Sequence, residues 1–268
     1  MVFSRELAAS RTAARALIMA GLVMVNGQMS DKAGTLVHQE ALVAVKERPR
    51  FVSRAGDKLE AALETFNVDV KGCSALDVGA STGGFVDCLL QRGAVRVIAL
   101  DVGRGQLDSR LRGDERVHVI EGVNARYLEP EALPWQPTLL TMDVSFISVA
   151  KVLPAVIACM TERFVGVILI KPQFEAGPKD VGKGGIVRDP AVHRRVLRET
   201  GEFILGELRI DLAGVCRSAV PGTGGNVEYF WHIGRGGAKG LALDTLESAI
   251  ELAVAGETPT GGRGDVEA

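Results

Sequence analysis

The sequence predicts an α/β chain: a doubly wound, Rossmann-like sheet preceded by a small α+β module. Three observations carry that prediction. From residue 74 onward, short apolar runs alternate with helix-compatible stretches, the pattern of strands joined by crossover helices. The first of these runs leads into a glycine turn, LDVGASTGGF, at residues 76–85. Residues 1–46 instead hold one short helical pattern and an Asn-Gly pair between two extended runs, the strongest short hairpin signal.

The 268 residues suffice for one large domain and one small one. The formal charge of −2 hides an asymmetry, since residues 1–58 sum to +4 and the remainder to −6. A basic front on an acidic body is either a solvated basic face or a surface for a polyanion. Four cysteines (Cys73, Cys88, Cys159, Cys216) are scattered without C-x-x-C spacing, and Cys73, Cys88 and Cys159 lie in apolar surroundings that suit buried thiols in a reducing cytoplasm. Four histidines (His38, His118, His193, His232) lack metal-ligand spacing, so no metal is expected. The longest apolar run, near residues 164–170, is far too short to span a membrane. The start of the chain lacks a signal-peptide core. Both argue against a pore-forming protein.

In chain order, the small module opens with Ser10, whose hydroxyl can cap a helix over residues 11–20, and Gly21 can end it in the left-handed conformation. Leu17, Ile18, Leu22 and Val23 supply its apolar face. Extended runs flank Asn26-Gly27, where both turn residues tolerate positive φ. Val43 and Val45 predict a further strand. Residues 47–55 read as a linker, charged and broken by Pro49. A helix over residues 56–66 follows, with Leu59, Ala62, Leu63 and Phe66 at helical spacing. Lys58 falls in its first turn, where the helix dipole disfavours positive charge, as suits a base.

The cofactor-type domain is read over residues 56–256. A buried strand at residues 74–79 enters the glycine turn, and a helix over 85–92 leaves it. A second strand at 95–102 contains Asp101, which lies 22 residues after Gly79. That spacing suits a carboxylate reaching the ribose of a nucleotide-like ligand. Gly79, Gly83 and Gly84 let the backbone approach a ligand closely. Further strands are read at 118–121, 139–143, 165–170 and 227–233. An amphipathic helix closes the domain over 241–255, and residues 257–268 read as a disordered tail.

Four polar motifs stand out: SRAGDKL with Lys58, MDVSF with Asp143, IKPQFE with Lys171, and GNVEYF with Glu228. Together with the D-x-G-x-x-x-G-G-F turn, this pattern resembles the hemolysin-A-like (TlyA) ribosomal RNA methyltransferases, over residues 2–255. Their catalytic half resembles the FtsJ type of ribose 2′-O-methyltransferase. The resemblance implies S-adenosyl-L-methionine as cofactor, held by Asp77, Gly79, Ala80, Ser81, Gly83, Gly84, Phe85, Asp101, Val102, Asn124, Ala125 and Asp143. Asp77 would lie near the amino-acid end, and Asn124 and Ala125 beside the adenine. The strand at 227–233 would be the antiparallel last strand of the sheet. The segment SRTAARALIMAGLVMVNG resembles an S-four-like RNA-binding fold, which implies RNA contacts by Arg11 and Arg15 and, nearby, Arg5 and Arg54. Family members begin a little earlier, so residues 1–5 read as part of a first helix, in a module either trimmed or recorded from an internal start.

The resemblance also implies a Lys-Asp-Lys-Glu tetrad, here Lys58, Asp143, Lys171 and Glu228. A ribose hydroxyl holds its proton tightly, so alignment and removal of one proton are the enzyme's main work. Lys171 is the expected base, Asp143 its orienting partner, and Glu228 positions Lys58 or the ribose. A second cation favours a neutral amine and two carboxylates oppose it, so the balance stays open. Residues 171–185 read as a mobile loop at the mouth, and Phe146 or Phe174 as a platform for a flipped-out base. The expected partners are ribosomal RNA and ribosomal subunits, with the base identity, cytidine, resting on the resemblance alone. Three other readings remain: a non-catalytic ribosome assembly factor with a retained cofactor pocket, a nicotinamide-dependent oxidoreductase lacking the usual fingerprint, and a membrane-active hemolysin.

Overall fold

The structure, a computed structural model, describes residues 1–19, 21–46, 49–236, 240, 241 and 243–257. It divides into two compact units, residues 1–50 and 51–268. Arg48 of the linker and residues 258–268 of the tail lie outside the described residues.

In the small unit, helix α1 (Arg11–Met19) starts where the Ser10 hydroxyl accepts from the Ala13 amide at 3.0 Å. It ends at Gly21, φ +68°, whose amide and that of Leu22 donate to the last carbonyls of the helix. Strands β1 (Val23–Val25), β2 (Gln28–Met29) and β3 (Val43–Val45) form an antiparallel sheet in the order β2-β1-β3. Asn26 and Gly27 sit at φ +48° and +81°, the conformations a two-residue hairpin turn requires. Val2, Ala14, Val23 and Val43 make the small core. Residues 1–7 do not begin a helix. They close as a tight turn through Arg5→Met1 and Leu7→Val2 backbone bonds, with Glu6 at φ +59°.

The larger unit opens with Phe51, which the linker reading left out of the domain but which is buried in its core. Helix α2 (Arg54–Thr65) begins two residues earlier than the sequence predicts, with Ser53 as its N-cap. Lys58 therefore sits beyond the first turn, where the dipole has faded, and the expected dipole effect on it does not apply. Strand β4 (Ser74–Val78) leads through the glycine turn to α3 (Gly84–Gln91), then β5 (Arg96–Asp101), α4 (Ser109–Arg112), β6 (Val117–Glu121) and β7 (Leu139–Met142). Next come α5 (Leu153–Ala158), β8 (Phe164–Ile170), α6 (Pro172–Glu175) and α7 (Pro190–Glu202). The last elements are β9 (Asp211–Arg217), β10 (Tyr229–Arg235) and α8 (Leu243–Ala255).

Among the described residues these strands form a seven-stranded sheet in the order β6-β5-β4-β7-β8-β10-β9. The first five are parallel, and β10 runs antiparallel to both β8 and β9. Side chains alternate between faces with the strand period of two. Leu76, Val78, Ile98, Leu100, Leu140 and Met142 face a core layer shared with α5, α7 and α8. Ala75, Val97, Ala99, Leu139, Val167 and Leu169 face a second layer under α2 and α3. With both faces covered, the central strands are fully buried, as parallel sheets require. In open α/β sheets ligands sit at the edge where the parallel strands end, which here carries Asp143 and Lys171. Strand β10 reaches that same edge from the opposite direction with Glu228.

Candidate active site

The glycine turn lies at this edge. Gly79, φ +87°, passes so close to the β7 strand end that a Cβ on it would sit 2.4 Å from the Asp143 carbonyl oxygen. Gly84 starts α3 against Ser53 and Ala55, where a Cβ would lie 2.3 Å from Ser53 Oγ. Beside the turn is a cavity of about 320 Å³. Gly79, Ser81, Asp101, Val102, Asn124, Ala125 and Asp143 line it, together with apolar Leu100, Val123, Ile147 and Val152. A second recess of about 160 Å³ adjoins it at Gly79, Ser81 and Asp143, and is walled by Ala80, Gly84, Phe85 and Ser53.

Not every expected cofactor residue reaches these spaces. Gly83, φ +95°, is the N-cap of α3 and packs against Leu107 and Leu111. Asp77 is fully buried beneath the turn and lines neither space. It accepts from Thr141 Oγ1 at 2.7 Å, and its other oxygen has no partner. Burial pushes its carboxyl up to about 8 against the Thr141 hydrogen bond, and the charges of Asp143 and Asp101 push the same way. Asp101 lines the cavity, but both its oxygens accept backbone amides, from Ser81 at 2.7 Å and Gly103 at 2.6 Å. In this structure its carboxylate shapes the glycine turn.

The four motif residues form two ion pairs. Lys171 Nζ lies 2.5 Å from Asp143 Oδ1 and donates to Ser145 Oγ at 2.8 Å. Lys58 Nζ lies 2.6 Å from Glu228 Oε2. The second oxygen of Glu228 accepts from Gln173 Nε2 at 3.1 Å. Gln173 follows Lys171 by two residues, so it joins the two pairs into one cluster. The β8–β10 ladder does the same from below: its last pairing, Tyr229 with Ile170, puts Glu228 and Lys171 side by side just past the final rung. Glu228 is 2% exposed, and both its oxygens have partners, one on Lys58 and one on Gln173. Such shielded pairs hold geometry well, because breaking one strands a charge away from water.

Ser53 Oγ is buried without a partner and borders the smaller recess. Phe146, φ +63° and 89% exposed, lines the larger cavity, with its ring 4.8 Å from that of Phe174. Residues 171–185 are a short helix and a tight hairpin rather than a plain loop. Gly182 bridges Ile186, Val187 is buried, and Asp180 pairs with Arg195 at 2.6 Å. Burial raises the Glu175 carboxyl, which accepts from the Val149 amide at 2.8 Å and so supports the 149–151 turn. Sequence reasoning missed Ser53, Ser145, Gln173 and Asn226. Each sits inside a quoted motif, so the signal was present, but attention went to the charged and aromatic members of those motifs.

In the small unit, Arg11 and Arg15 are exposed and line an open groove with Phe3 and Ala33. Arg5 has a structural part to play within its own unit. Its guanidinium donates to the Ala41 carbonyl at 2.7 Å and to the Gln39 carbonyl, so it ties the 39–41 loop to the N-terminal turn. Arg54 is exposed at the start of α2. Among the described residues no helix is long and apolar enough to cross a membrane, and no His/Cys/Asp/Glu group is arranged to hold a metal ion.

Comparison with known proteins agrees with this architecture. Residues 51–235 match the FtsJ-like methyltransferase family, and residues 1–43 match the S4 domain. The chain is 44% identical to the 16S/23S rRNA (cytidine-2′-O)-methyltransferase TlyA of Mycobacterium tuberculosis, over 93% of this chain and 94% of that one. It is 40% identical to Hemolysin A of Brachyspira hyodysenteriae, over 86% of this chain and 96% of the relative. A solved structure of a candidate hemolysin from Streptococcus thermophilus superposes with a TM-score of 0.72 at 37% identity, covering 94% of this chain and 93% of that one.

Proposed function

Because the chain belongs to the FtsJ-like methyltransferase family and, within it, to the TlyA ribosomal RNA methyltransferases, we propose that it 2′-O-methylates cytidine ribose in ribosomal RNA through the Lys58–Asp143–Lys171–Glu228 cluster. The observation that carries this reading is the double placement of Asp143. It lines the large cavity and also holds Lys171, so the ligand space and the lysine meet at one side chain.

The two adjoining spaces fit S-adenosylmethionine. Apolar Leu100, Val102, Val123 and Ile147 offer walls for a flat adenine, and Asn124 and Ala125 border the same end. The smaller recess, with the unpaired Ser53 hydroxyl and the start of α3, suits a carboxylate. The bound cofactor supplies a methyl group activated by its sulfonium.

The chain's own residues supply alignment and proton removal. Asp143 and Ser145 fix Lys171 Nζ beside the cavity they line; once that ammonium has released a proton to solvent, the neutral amine takes the 2′-hydroxyl proton. General-base help of this kind is worth about 10²–10⁴-fold. Glu228 fixes Lys58, whose ammonium orients the hydroxyl oxygen. Phe146 is the platform for the flipped-out base, since aromatic faces stack bases without reading sequence. Arg11 and Arg15 contact phosphates and position the RNA, and Arg54, exposed on the same helix as Lys58, offers a further phosphate contact.

Ribosomal subunits incubated with the protein and methyl-labelled cofactor, then digested to nucleosides, are expected to yield 2′-O-methylcytidine. Label confined to bases or protein would remove the reading. Lys171→Ala with intact cofactor binding is expected to lose turnover, and near-normal turnover would remove Lys171 as the base.

A further inference from the structure

We infer that Asn226 is a positioning residue for methyl transfer, fixing the wall against which the Glu228 carboxylate rests. The inference rests on the proposed role of Lys58 and Glu228.

Asn226 is 4% exposed. Its side chain offers one acceptor oxygen and two N–H donors, and all three are used. Oδ1 accepts from the Val187 amide at 3.2 Å, while Nδ2 donates to the Gly185 carbonyl at 2.9 Å and the Thr223 carbonyl at 3.2 Å. Its own backbone carbonyl accepts from the Gly222 amide at 2.8 Å. These bonds fold residues 222–226 into a closed turn, with Gly224 and Gly225 at φ +71° and +87°, and fasten that turn to the hairpin before α7.

The outer member of the turn is Gly222. A Cβ there would fall 2.1 Å from Glu228 Oε1 and 2.4 Å from its carboxyl carbon. The carboxylate therefore rests on bare Gly222 backbone, and Lys58 and Gln173 hold its two oxygens from the other side. At 2% exposure it has no water to retreat into. Asn226 sets where Gly222 stands, and Gly222 sets where Glu228 stands. The residue type is dictated by the count of donors. An aspartate would leave the Gly185 and Thr223 carbonyls without donors and bury a charge, and an alanine would strand one N–H and two carbonyls. Neither Asn226 nor Gly222 borders the two cofactor spaces, so cofactor affinity serves as an independent readout of the fold.

The test is a double-mutant cycle on the full chain, with single-turnover methyl transfer to ribosomal subunits as the rate. The variants are Asn226→Asp, Glu228→Gln and the pair. Asn226→Asp is expected to slow transfer by about 10- to 100-fold, the scale of a small misplacement. Cofactor Kd should stay within about twofold and thermal unfolding should remain cooperative. Where Glu228 is already Gln, adding Asn226→Asp should change the rate by less than about twofold, because the group it positions is gone. Asn226→Ser carries the same cycle should the aspartate variant fail to fold. A wild-type rate in the Asn226 variants, or losses that multiply in the pair, would overturn the inference and leave the tetrad standing. A wild-type rate for Glu228→Gln would remove the tetrad reading and this inference together.

Discussion

Replacing Gly79 with alanine tests whether close backbone approach builds this site. The conformation alone, φ +87°, costs an L-residue about 1–2 kcal/mol. The new Cβ would also sit 2.4 Å from the Asp143 carbonyl oxygen and 2.9 Å from its carbon, against backbone that cannot rotate away. Ordinary contact begins near 3.4 Å, so the end of β7 must withdraw by about 1 Å. Conformation and displacement together predict a loss on the order of 2–4 kcal/mol in urea unfolding. Asp143 carries Lys171 with it, and a shift of about 1 Å at reacting groups is worth about 10² in rate. Cofactor calorimetry should report weaker binding, since Gly79 borders both spaces. Gly206→Ala is the control, because nothing lies within 4 Å of its Cβ position. It should change stability by no more than about 1 kcal/mol and leave turnover alone. A Gly79→Ala protein within about 0.5 kcal/mol and threefold of wild type would refute the reasoning.

Three more outcomes follow from the geometry. Asp77 titrates near 8 when folded and near 3.8 otherwise, so its folded form prefers the proton; its contribution to stability is full below about pH 4 and fades as pH rises toward 8. Asp77→Asn should flatten that decline in urea midpoints between pH 5 and 8.5, and parallel curves would contradict it. Ser53→Ala removes a buried hydroxyl with no partner, so the unliganded protein should be as stable or up to about 1 kcal/mol more stable, while cofactor affinity falls about tenfold; equal affinity would dissociate Ser53 from the ligand. Phe146→Gly should relieve a left-handed backbone and stabilise by about 1 kcal/mol, yet slow methylation of RNA by about tenfold at unchanged cofactor Kd. Normal RNA turnover would release Phe146 from any part in substrate binding.

The alternation of strands and helices was legible because parallel strands buried on both faces read as continuous apolar runs. Strand β9 was not located, since DLAGVCR is broken by Gly214 and gains its place only by pairing with β10. Helix α7 carries its own start signal, the Asp189 side chain capping Ala191 with Pro190 at the first position, in a stretch otherwise rich in charge. The position of β10 between β8 and β9 depends on contacts distant in sequence, which no local pattern records. Within the site, Lys58, Asp143, Lys171 and Glu228 were legible because each is the charged centre of a motif that matches the resembled family. The neutral groups that hold them, Ser145, Gln173 and Asn226, act by hydrogen-bond direction, which spacing does not reveal. Arg5 shows the converse: a charge conspicuous in the sequence that spends two of its donors on its own loop.

Strand β10 joins the sheet where β8 leaves it, and this constrains where the gene can gain or lose codons. Inserting or deleting one residue within either strand would send Lys171 or Glu228 to the opposite side of the pleat. The same change around residues 206–209, on the far side of the hydrogen-bonded rungs, moves neither. Homologues are therefore expected to differ in length there and to keep these two strands aligned without gaps.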